Sequence, residues 1–169
     1  INMFFFMILN YILLTLSAAG LMIIGLNHYF QIGFFGMAPI KLDIFISLIY
    51  VAAETLVMFF FVGTGVSIKE YIQENPDTDH KYHKESVSIK RVLYPPTMMA
   101  TLLFVAMIIF DGGWLMGQMS RGWFHAFYVA TVYYFIKSLI VQHKCFKKNT
   151  LVILEMTKTK AKINSADLF

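Results

Sequence analysis

Five residues of this 169-residue chain can titrate or ligate, yet lie inside or at the rim of long apolar runs: His28, Asp43, Glu54, Asp111 and His125. Imidazole nitrogens and carboxylate oxygens are the usual ligands of zinc, copper and non-haem iron, and two histidines at one depth are enough to ligate a haem. His28 follows the first apolar run, Asp43 opens the second, Asp111 sits in the last turns of the third, and His125 begins the fourth. If the runs are helices that alternate in direction, all four residues fall within about two helical turns of one end. The pattern predicts a haem or transition-metal site at His28 and His125 with Asp43 or Asp111. The simpler expectation, equally consistent with the spacing, is helix-end and interfacial polar contacts, because none of the four belongs to a spaced local motif.

Glu54 is the only charged residue between Asp43 and Val66, about 16 Å along a helix from Asp43. A charge at that depth in a bilayer is costly and marks a functional group or a specific interhelical bond. Asn10, Thr15, Ser17 and Thr101 are the partners expected for it. The alternative for Glu54 is a proton or ion path through an oligomeric channel or transporter.

The elements that must position these residues follow from composition. Hydrophobic residues make up 58% of the chain and charged residues 14%, with a mean hydropathy of +0.64, whereas soluble domains carry about 25% charge. This excludes a soluble enzyme, a disordered tail and a nucleic-acid module. A spanning helix takes about 20 apolar residues, and four runs are long enough, at about 3–26, 43–66, 94–116 and 123–142. The predicted fold is therefore all-α, an integral four-helix transmembrane bundle occupying residues 1–142, with a hydrophilic loop at 67–92 and a basic tail at 143–169. Gly33, Phe34, Phe35, Gly36 and Pro39 read as an interfacial loop, and Pro95 and Pro96 as the first turn of the third span, where proline lacks no bond.

Of the 14 basic residues, all but Lys41 and Arg121 lie in the middle loop or in and beside the tail. Basic residues stay on the cytoplasmic side, so both termini are expected inside, N-in and C-in, in a bacterial or organellar inner membrane. Cys145 is the single cysteine, which excludes an intrachain disulfide and a cysteine-based zinc or iron–sulfur site. The cluster His143 to Lys148 reads as an anchor on anionic headgroups, and His80 and His83 as members of a solvated loop.

Gly113 and Gly117, with Ala126 and Ala130, have the small-residue spacing that lets membrane helices approach closely. The 17 Phe, 9 Tyr and 11 Met supply wide apolar surface for lipid or neighbouring helices. No nucleophile elbow, phosphate-binding loop or zinc-protease signature is present. The expected role is a small subunit without catalytic activity of its own, packing in a larger membrane complex, respiratory or otherwise energy-converting, or with its own copies. A cofactor-bearing electron-transport subunit is the alternative.

Overall fold

The computed structural model describes residues 3–31, 36–76 and 78–166, with side chains from 5 to 158. The sequence-predicted loop residues Gly33, Phe34 and Phe35, and the side chains of Lys160 and Lys162, lie outside the described residues. Four helices account for nearly all of the rest: α1 (Met3–Phe30), α2 (Pro39–Glu74), α3 (Lys81–Leu115) and α4 (Arg121–Ala166). No strand occurs among the described residues. All four helices are long and apolar enough to cross a membrane.

The helices run alternately up and down. Phe6 meets Phe60, Tyr50 stacks on Phe104, Phe110 stacks on Phe127 and Tyr11 reaches His143, so each helix has antiparallel neighbours. The firmest seam joins α3 to α4. Buried positions recur every three or four residues on both helices: Tyr82, Ser86, Ile89, Leu93, Thr97 and Ala100 on α3, and Phe135, Ser138, Gln142, Cys145, Asn149 and Val152 on α4. That is the heptad spacing of an antiparallel coiled coil.

The helices are longer than the apolar runs within them, because charged and polar residues do not by themselves stop a helix. The loop expected at 67–92 shrinks to the segment between Glu74 and Lys81. α2 passes through Gly63-Thr64-Gly65 and stops only before Pro76, where the Asn75 backbone and side-chain N–H groups both donate to the Tyr71 carbonyl, at 3.1 and 2.8 Å. α3 begins where the Asp79 carboxylate accepts from the Lys81 backbone N–H at 2.8 Å. Pro95 and Pro96 therefore lie inside α3 and not in its first turn. An interior proline costs about 3 kcal/mol or more, and the fully buried Leu93 and Thr97 on either side hold the helix on α4 and offset this.

The tail expected after Gln142 is likewise helical. Lysine has good helix propensity, and Cys145, Phe146, Val152 and Met156 continue the buried seam against Phe61, Ile68, Ile72 and Tyr82. Cys145 is thus a core residue, with its thiol against the Ile89 carbonyl. Gly117 is a correction of a different kind. It lies beyond the end of α3 with φ +72°, so Gly113 and Gly117 form no common helix face.

The close approach falls on other glycines. A Cβ on Gly20 would lie 2.5 Å from Ile46 Cγ2, on a β-branched side chain with little rotamer freedom. Gly20→Ala is expected to destabilise the α1–α2 contact by about 1–3 kcal/mol. Reversible unfolding in mixed micelles measures this, and Gly63→Ala, which meets open space, should show no such loss.

Candidate functional site

Two polar centres interrupt the apolar interior. One lies at the end where α1 stops, α2 starts, α3 stops and α4 starts. His28 is 3% exposed and Asp111 is also 3% exposed, and His28 Nδ1 is 2.5 Å from Asp111 Oδ1. On the other side of the ring, the Arg121 Nε–H donates to His28 Nε2 at 3.3 Å and Nη2 donates to the His28 carbonyl at 3.2 Å. A guanidinium can only donate, so Nε2 is an acceptor and the proton of the neutral ring sits on Nδ1, facing Asp111. Asp43, 2% exposed, packs beside Asp111, and its Oδ1 has no hydrogen-bond partner among the described residues.

The result is a hydrogen-bonded chain of three residues, Asp111 on α3, His28 on α1 and Arg121 on α4, with Asp43 of α2 buried beside it. Buried charges persist only when paired and hydrogen-bonded, and the buried Asp111 carboxylate meets this condition through His28, whose other side is held by the exposed Arg121.

Aromatic rings wall the chain. Phe124 stacks on the His28 ring at 3.6 Å and 11°, Trp114 lies 4.3 Å away, and the Arg121 guanidinium sits over Trp114 and Tyr29 at 5.5 and 5.8 Å. His125 belongs to this wall and not to the charged chain. It stacks on Tyr29 at 5.2 Å and shares a 2.8 Å hydrogen bond with its hydroxyl. The His28 and His125 rings are 5.7 Å apart at 80°.

The four residues singled out from the sequence, His28, Asp43, Asp111 and His125, thus meet at one end. Among the described residues, however, no group of three or more His, Cys, Asp or Glu side chains is arranged to hold a metal ion. Both nitrogens of His28 are occupied by protein groups. Beside the chain, a recess of about 250 Å³ is lined by Asn27, His28, Gln31, Pro39, Asp111 and Trp114, among others.

The second centre lies midway along the bundle. Glu54, 1% exposed, accepts from Gln142 Nε2 at 2.7 Å, and the same amide donates to Ser138 Oγ at 2.9 Å. Ser138 in turn bonds Thr97 at 3.2 Å. This layer joins α2, α3 and α4 and separates two apolar cores, one around Phe61, Leu93 and Phe146 and the other around Tyr50, Phe104 and Phe124.

The partners expected for Glu54 are corrected here. Thr15, Ser17 and Thr101 return their hydroxyls to their own helices, bonding the carbonyls of Tyr11, Leu13 and Thr97, which is the local competition such side chains always offer. Asn10 is 1% exposed but makes no bond to Glu54 among the described residues. The true partner, Gln142, reads in the sequence as the polar end of a span. Its signal is the shared spacing of Ser138, Gln142 and Thr97 on the α3–α4 seam. Arg121 reads only as a loop charge, and nothing in its local sequence points to His28.

No family model matches the chain, and no curated protein or solved structure is measurably similar to it, so its function rests on the geometry of these two centres and of its surface.

Proposed function

We propose that this chain is a multi-pass membrane subunit, with both termini on the cytoplasmic side, that works by packing against a membrane helix of another chain. The orientation rests on the twelve basic residues that share the end holding the middle loop and both termini. The observation that carries the packing role is a groove of about 450 Å³ at that same end, lined by Phe6, Phe59, Phe60, Ile68, Ile153 and Met156.

The groove lies between Phe6 of α1, the Phe59, Phe60 and Ile68 side of α2, and Ile153 and Met156 of α4. Its apolar walls fit the apolar face of a membrane helix. Packing, rather than conduction through one copy, is also favoured by the fully buried Tyr50 and Phe104. Stacked at 3.9 Å, they fill the interior between the levels of Asp43 and Glu54.

Ser67 lies in the groove and is exposed. A Ser67→Cys variant is expected to resist a membrane-impermeant maleimide in native membranes and to react once the chain is purified alone, from the cytoplasmic side. Gln118→Cys, in the connection at the other end, should react from the opposite side. The buried Cys145 gives no background. Equal reactivity of residue 67 in membranes and in isolation would refute the packing role, and labelling of both positions from one side would refute the orientation.

A further inference from the structure

The recess at the His28–Asp111 end is short of hydrogen-bond donors. Asn27 is 5% exposed and lines the recess, yet its Oδ1 has no partner among the described residues. Asp43, 2% exposed and close to Asp111, likewise leaves Oδ1 without one. Buried acceptors in native proteins are satisfied, and leaving one bare costs about 1–3 kcal/mol. Whatever fills the recess must therefore bring hydrogens.

Its surroundings narrow the chemistry. The Asp111 carboxylate forms one wall, and Gln31, which is exposed, stands at the rim. Arg121, also exposed, spends two of its N–H groups on His28 and extends from the far side of that ring. Carboxylate and guanidinium thus lie on opposite sides of one imidazole, the anionic side facing a cavity and the cationic side facing out. The recess sits between the last turn of α1, the first of α2 and the last of α3, the depth at which headgroups lie when these helices span a bilayer.

We propose that the recess binds a primary ammonium carried next to a phosphate, with the ammonium against Asp111 and Asn27 and the phosphate at the rim beside Gln31. This is the chemistry of an ethanolamine lipid headgroup and of soluble phosphoethanolamine. An ammonium offers three N–H donors to a site rich in acceptors. A trimethylated choline head has no N–H to give and leaves Asn27 Oδ1 bare.

The test uses the full chain in bilayers of phosphatidylcholine containing a minor fraction of phosphatidylethanolamine or of phosphatidylglycerol, with bound lipids counted by native mass spectrometry. Phosphatidylethanolamine should be retained about tenfold over phosphatidylcholine, the ratio that one well-made donor–acceptor set of about 1.4 kcal/mol supplies. Asn27→Leu should abolish the preference, and Gln31→Ala, a rim change that spares the fold, should weaken it. Displacement by soluble phosphoethanolamine identifies a soluble ligand, whereas its failure to displace identifies the lipid. Equal retention of the two zwitterionic lipids, a preference untouched by Asn27→Leu, or tightest retention of phosphatidylglycerol overturns the proposal.

Discussion

His28→Ala is expected to cost about 3–5 kcal/mol, the effect of stripping one member from a buried charged network. The ring is the only link between Asp111 and Arg121 that the hydrogen bonds define. Without it, the buried Asp111 carboxylate loses its partner and faces a void, and Phe124 loses the ring it stacks on at 3.6 Å. Because α1, α3 and α4 each contribute one residue to the chain, the loss should appear as a cooperative drop in unfolding free energy, not as fraying of one helix. Chemical unfolding in mixed micelles, followed by helicity, measures it. His28→Gln restores one donor and one acceptor and should recover part of the loss. A change below about 1 kcal/mol, the size of an exposed ion pair, would show that the network does not hold the helices together.

Gln142→Leu is expected to cost about 2–3 kcal/mol, because it removes the one donor to a carboxyl that is 1% exposed and leaves an unpartnered acid in the core. Interhelical hydrogen bonds in membranes average only about 0.6 kcal/mol, so a loss of this size would come from stranding Glu54 rather than from the bond itself. The double variant Glu54→Leu with Gln142→Leu separates the two terms. With both polar groups gone the layer becomes apolar, continuous with the cores on either side, and stability should return to within about 1 kcal/mol of the wild type. A double-mutant cycle gives the coupling directly. If the double variant is as damaged as the single, the layer acts through packing shape and not through its charge.

The two centres were legible to different degrees. His28, Asp43, Asp111 and His125 stand at the ends of apolar runs, and once those runs alternate in direction they must share an end. Their depth is therefore a one-dimensional property, and a hydropathy profile contains it. Which of them touch is a matter of helix rotation, to which apolarity on all sides is blind. His125 accordingly turned to Tyr29, while Arg121, from a loop by its sequence, took the place beside His28. Glu54 was likewise legible as a buried acid, but its partner was not. The polar residues of α1 and α3 nearest in depth satisfied their hydroxyls on their own carbonyls, and only a longer side chain on the α3–α4 seam reached across.

Composition and the spacing of apolar runs determined the number of helices, their ability to cross a membrane and the side on which the basic residues gather, because these depend on transfer free energy summed along the chain. Helix ends, the passage of α3 through Pro95 and Pro96 and the continuation of α4 to Ala166 were decided by tertiary packing. Each depends on how one helix surface fills another, and that fit is a property of side-chain shape in three dimensions that no linear window of sequence contains.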